Sequence, residues 1–109
     1  MMIYGLSTCP NCQKAIKALE AQGKDVVFRD IRAEPLNDAE LAELIAEFGD
    51  RLVDRKSNDY RGLNDWLKNS EAEAQISARP KVMARTVIRD GVSFNLGWDE
   101  AVQEAWLAS

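Results

Sequence analysis

The segment that most constrains this chain is Cys9-Pro10-Asn11-Cys12. It holds both cysteines and lies between an apolar run, Met1 to Leu6, and a stretch with helical spacing. The run reads as a strand, with Ile3 to Leu6 as its buried part and Ser7-Thr8 as the turn that follows. Pro10 suits the first turn of a helix, where its missing N–H costs nothing. Cys12, Ile16 and Leu19 recur at i, i+4 and i+7 and form an apolar face with Ala15, whereas Cys9 falls outside it. A thiol at a helix N-terminus faces unpaired N–H groups and the positive end of the helix dipole, and both favour the thiolate, the nucleophilic form. A second thiol one turn later is placed to resolve a mixed disulfide. The pattern predicts an exposed, attacking Cys9 and a more buried, resolving Cys12. Two ordinary small side chains and a metal-binding pair are the other readings of C-x-x-C. The strand before it and the helix after it favour redox chemistry.

Composition narrows the chemistry further. The chain has no histidine, which excludes a Cys–His dyad, a histidine base and any zinc site mixing Cys with His. Two cysteines are too few for an all-thiolate tetrahedral zinc site, so no metal site is expected. A net charge of −4 argues against nucleic acid as a partner. No apolar stretch approaches the roughly 20 residues that cross a bilayer, so no membrane association is expected. Nor is there a basic segment followed by an apolar one, as a secretion signal would show. Two cysteines without an export signal point to a cytoplasmic, reducing setting. At 109 residues a single domain spanning 1–109 is expected.

Past the first helix, Gly23 is a natural stop, and Val26 to Ile31 reads as a second strand. Ala33-Glu34-Pro35 ends it. Asn37 with Glu40 resembles a capping box, followed by Leu41, Leu44, Ile45 and Phe48 at helical spacing and Gly49 as the stop. Positive charge then gathers at Arg51, Arg55 and Lys56. Tyr60, Leu63 and Leu67 suggest a helix weakened by Gly62, and Ser70 with Glu73 suggests the start of a shorter one. Arg79-Pro80 is expected to lead into a strand over Val82 to Ile88. Arg89-Asp90-Gly91 marks a turn, and Val92 to Leu96 a hairpin partner. Asp99 would cap a last helix with Val102 and Trp106 on one side. Trp66, Trp98 and Trp106 read as packing residues. The order β-α-β-α-(α-α)-β-β-α, with C-x-x-C after the first strand, predicts an α/β, thioredoxin-like, glutaredoxin-related mixed four-stranded sheet. A helical segment, about 36–77, is inserted between the second and third strands.

The chain resembles the arsenate reductase (ArsC)/Spx/YffB family. The likeness runs over nearly its whole length and is carried by four segments. These are Tyr4-Gly5-Leu6-Ser7-Thr8-Cys9-Pro10-Asn11-Cys12-Gln13-Lys14-Ala15, the helix Leu36 to Gly49, Arg55-Lys56-Ser57-Asn58-Asp59-Tyr60-Arg61, and Ala78-Arg79-Pro80 before a strand. The resemblance implies that Cys9 is the family's nucleophile and Cys12 the second cysteine of an Spx-type switch. It implies that Arg79 precedes a cis-Pro80 and that Arg55 belongs to a basic patch facing an oxyanion. The plainer readings are a surface arginine at position 79 and a solvated basic loop around Arg55. Thr8, Asn11, Arg55, Arg79 and Pro80 form the expected substrate- or glutathione-binding set. Arsenate reductases of this family carry a further arginine in the last strand region. Val92 to Trp98 contains none, which counts against arsenate reduction.

The expected function is that of a glutathione-linked thiol–disulfide oxidoreductase. No cofactor is expected to be bound. Glutathione serves as co-substrate, glutaredoxin is a further partner, and a small oxidised or disulfide compound is the substrate. The alternatives are a true arsenate reductase and an Spx-like redox-sensing regulator that binds RNA polymerase. The second is weakened by a chain that stops three residues after Trp106. A Cu(I)-binding module fits poorly, because the helical segment after the second strand is too long.

Overall fold

In the computed structural model, which describes residues 1–107, the chain divides into two compact units. One comprises Met1–Asp30 and the chain from Arg85 onward, and the other is Ile31–Ala84.

The first unit is built on a mixed four-stranded sheet of order β2-β1-β3-β4. Its central strand β1 (Met2–Gly5) pairs in parallel with β2 (Val27–Asp30) and antiparallel with β3 (Val87–Asp90). A parallel pair needs a crossover connection, which α1 (Pro10–Ala21) supplies. β3 turns back into β4 (Ser93–Leu96) as the expected hairpin, with Asp90 opposite Ser93 and Gly91 at φ +62°, a conformation that glycine adopts without a Cβ penalty. The last helix, α6 (Glu100–Leu107), is capped by Asp99, whose carboxylate accepts from the Val102 N–H at 3.0 Å. Ile3, Ala15, Leu19, Ile88 and Val102 form the core, and Phe28, Trp98 and Trp106 pack against it. The sheet is the mixed four-stranded arrangement expected of the thioredoxin-like fold.

The second unit contains the helical segment expected over 36–77. Its longest helix, α2 (Asp38–Phe48), begins with the expected capping box. The Asn37 side chain accepts from the Glu40 N–H at 2.8 Å, and the Glu40 carboxylate accepts from the Asn37 N–H at 3.0 Å. Leu41, Leu44 and Phe48 are buried on one face, and a 3-10 turn follows at Gly49–Leu52. The single helix expected around Tyr60, Leu63 and Leu67 is instead two one-turn helices, α3 (Asn58–Arg61) and α4 (Asp65–Lys68). The cause is local. Asn64 takes the Leu67 N–H with its own side chain at 2.8 Å and so starts a new helix. α5 (Ala72–Ala78) follows. Trp66 on α4 is 74% exposed, so it does not pack as expected.

The expectation for Pro80 is overturned. Pro80 opens a 3-10 turn, Pro80–Val82, closed by hydrogen bonds from Val82 N–H to the Arg79 carbonyl and from Met83 N–H to that of Pro80. A fixed φ and a missing N–H suit the first position of such a turn as well as a strand entry. Val82 and Met83 are buried, and Met83 bridges Val53, so the strand begins five residues later than the pattern suggested, at Val87. Among the described residues the cis peptide bond is Arg85–Thr86, and Arg79–Pro80 is trans.

Candidate redox site

Both cysteines lie in the sheet unit. Cys9 is the N-cap of α1, half-buried, with extended backbone (φ −82°, ψ 118°) and no side-chain capping hydrogen bond. Pro10 follows in the first turn of the helix, as the sequence predicts. Cys12, one turn on, is completely buried with Ala15 and Leu19 on the inner face of the helix. Both are free thiols. The asymmetry between an accessible tip thiol and a buried second thiol is the one expected from the apolar face.

The loop that carries Cys9 is clamped. The Cys9 N–H donates to the Leu6 carbonyl at 3.0 Å, and the Gln13 N–H donates to that of Cys9 at 3.1 Å. The Ser7 N–H donates to an Asp30 carboxylate oxygen at the end of β2 at 3.1 Å, and the Gln13 side-chain amide donates to the Ser7 carbonyl at 2.7 Å. Thr8 and Asn11 flank Cys9 and are exposed. Gln13 and Asp30 are site-shaping residues that the sequence reading did not single out. Asp30 ends an apolar strand with a polar group, a weak signal for a clamp.

Cys12 sits in a tight socket. A Cβ on Gly5 would overlap its sulfur, so β1 approaches the thiol as only a glycine permits. The Thr86 hydroxyl donates to the Cys12 sulfur at 2.9 Å. Burial pushes the Cys12 thiol above its ordinary value of 9.0. Hydrogen bonds with Thr86 and at Leu6 oppose that shift, while a hydrogen bond to Cys9 and the Cys9 charge add to it. Thr86 was invisible as a site residue because a threonine ahead of a β-branched strand fits any strand.

The remaining expected residues belong to the helical unit. Arg55 is exposed in the turn after Val53, where the Asp54 side chain accepts from the Lys56 N–H at 3.0 Å. Arg79 caps the C-terminus of α5, and its Nε makes a 3.2 Å ion pair with Asp59 of α3. That pairing ties α5 to α3. Pro80 is in the 3-10 turn described above, and its expected role as a strand-leading cis-proline falls with it. Among the described residues no cluster of three or more His, Cys, Asp or Glu side chains is arranged to hold a metal ion. No helix among them is long and apolar enough to cross a membrane.

Comparison with known proteins agrees with this geometry. The glutaredoxin family profile matches residues 1–53, the half that carries both cysteines. The solved structure of a YFFB protein superposes with a TM-score of 0.86 at 25% identity, over 97% of each chain. The solution structure of an arsenate reductase (ArsC) related protein from Brucella melitensis superposes with a TM-score of 0.73 at 26% identity, over 99% of this chain and 94% of that one. The global transcriptional regulator Spx 2 of Lactococcus lactis is 25% identical, over 96% of this chain and 84% of its own length. The chain has a thioredoxin-like fold, is similar to glutaredoxins over residues 1–53, and is similar along nearly its whole length to proteins of the ArsC and Spx kind.

Proposed function

We propose that this protein is a thiol–disulfide oxidoreductase linked to glutathione. Cys9 attacks the disulfide of a small oxidised substrate or a glutathione mixed disulfide, and Cys12 resolves the adduct. The observation that carries this reading is the pairing of a half-buried thiol at the tip of α1 with a completely buried thiol one helical turn later. The thiolate of Cys9 forms a bond to one sulfur of the substrate and expels the other as a thiol. Cys12 or a glutathione thiolate then displaces the substrate fragment from Cys9. Two glutathione thiols, as co-substrate, then reduce the Cys9–Cys12 disulfide to the dithiol and leave as glutathione disulfide. Thr8 and Asn11, exposed beside Cys9, are the nearest side chains to meet the substrate. The reading rests on the sheet unit alone.

Arsenate reduction is expected to be weak. β4 (Ser93–Leu96) carries no arginine, and the loss of one charge-assisted contact to a buried anion weakens binding by about tenfold to a hundredfold. Cys12 also offers Cys9 an intramolecular partner that captures it before an arsenic adduct matures. The test is turnover of a glutathione mixed disulfide and of arsenate side by side, with and without glutaredoxin, on wild type and Cys9→Ser. Disulfide turnover that vanishes in Cys9→Ser and exceeds arsenate turnover supports the reading. Arsenate turnover as fast as disulfide turnover overturns it.

A second reading has a specific observation behind it, the likeness to Spx 2 along 96% of this chain. A redox-sensing regulator would bind RNA polymerase. Co-purification with polymerase, without glutathione turnover, would favour that role.

A further inference from the structure

We propose that Thr86 is a positioning residue for Cys12: its buried hydroxyl donates to the Cys12 sulfur and sets how readily that sulfur resolves a mixed disulfide on Cys9. The inference rests on the thiol–disulfide reading of the pair and extends it to a residue 74 positions away along the chain.

Thr86 and Gln75 are the buried polar side chains of the described residues, and Thr86 has no exposed surface at all. A hydroxyl buried this completely needs a partner, because an unsatisfied one carries the cost of its lost hydration. The Thr86 backbone carbonyl is taken by the Gly97 N–H at 2.7 Å, and the hydroxyl is aimed at the Cys12 sulfur at 2.9 Å. The sulfur also lies against the bare backbone of β1, where a Cβ on Gly5 would overlap it. The groups around Cys12 pull in opposite directions. Burial, the hydrogen bond to Cys9 and the Cys9 charge hold the thiol protonated, while Thr86 and the hydrogen bond at Leu6 favour the thiolate. Thr86 is the side-chain donor on the thiolate side of that balance.

The step it serves is the second half of the exchange. The Cys12 thiol loses its proton to solvent, and its sulfur electron pair forms a bond to the Cys9 sulfur. The bond from Cys9 to the substrate sulfur breaks, and the fragment leaves as a thiolate with the electrons of that bond. Over both halves the protein dithiol is oxidised by two electrons and the substrate disulfide is reduced to two thiols. Without the Thr86 donor the thiolate that starts this step is scarcer at any pH below its titration midpoint.

The test uses dithiobis(nitrobenzoate), which releases one coloured thiol when Cys9 attacks and a second when Cys12 resolves. Reduced wild-type protein should show two phases in rapid mixing. Thr86→Val, close in shape but without the hydroxyl, should leave the first phase unchanged. It should slow the second by about tenfold to a hundredfold, the worth of a hydrogen bond to a charged acceptor. The midpoint of the second phase should also move to higher pH. Thr86→Ser, which keeps the donor, should retain most of the second-phase rate and its midpoint, a rescue that a purely structural role would not give. Should Thr86→Val not fold, as judged by circular dichroism, Thr86→Ala serves in its place. An unchanged second phase in the hydroxyl-free variant, or equal slowing in Thr86→Ser, overturns the role of Thr86 while leaving the Cys9–Cys12 reading intact. Two phases surviving in Cys12→Ser would instead overturn that reading, and the proposal with it.

Discussion

The sheet unit and the helical unit are held together by different means. In the sheet unit, residues far apart in sequence are locked to one another. Ile3 stands opposite Phe28 on one side and Ile88 on the other, and the Cys12 sulfur meets a hydroxyl from the far end of the chain. In the helical unit, much of the order is local. α2, α3 and α4 each begin with a side chain, Asn37, Ser57 or Asn64, that accepts the backbone N–H three residues ahead. The difference shows where chemistry is best placed. A thiol whose reactivity depends on fixed neighbours belongs where strand pairing holds those neighbours, and both cysteines are there.

That contrast can be tested, most severely at the two cores. Leu19→Ala in the sheet unit and Leu44→Ala in the helical unit each delete a buried side chain and should cost about 2–5 kcal/mol, measured by urea unfolding. A loss well under that range at either site would mean its packing is looser than the burial implies. Next in size is the local order of the helical unit. Asn37→Ala removes the α2 cap and should cost about 0.5–2 kcal/mol in the same assay. Arg79→Ala removes an ion pair with a half-exposed arginine and should cost no more than about 1 kcal/mol, without altering the reaction of Cys9 with a disulfide. A loss of Cys9 reactivity in this variant would erase the assignment of the chemistry to the sheet unit. The gentlest probe is pH. Because burial raises the Cys12 thiol above 9.0, the folded protein keeps a proton that the unfolded chain gives up. The stability this contributes is complete below 9.0 and is lost as pH climbs through the raised value. Unfolding free energy should fall more steeply above pH 9.0 in wild type than in Cys12→Ser, and matching slopes would contradict it.

The two units were also legible to different degrees. Local signals came through well. The Asn37–Glu40 capping box, the buried Cys12–Ala15–Leu19 face and the Asp90–Gly91 hairpin all appear as read, since each depends on neighbours within a few residues. The readings that failed needed distant information. Arg79-Pro80 looked like a strand entry because proline's local preferences do not distinguish a strand from a 3-10 turn, and only the burial of Val82 and Met83 decides it. Trp66 looked like packing, yet no partner surface covers it among the described residues. In the site, the cysteines and their asymmetry were readable from spacing. Thr86, Gly5 and Asp30 were not, since each acts across strands.

The glycine at position 5 limits what can stand against the buried sulfur. A disulfide requires its sulfurs about 2.05 Å apart, so one free thiol has to move when the pair oxidises. Cys12 has the bare backbone of β1 against its sulfur and the Thr86 hydroxyl donating to it. Cys9 stands at the end of a loop held by the Leu6 carbonyl, the Asp30 carboxylate and the Gln13 amide. A side chain larger than glycine at position 5 would have to displace the Cys12 sulfur, so the bare strand is a condition of burying a thiol there.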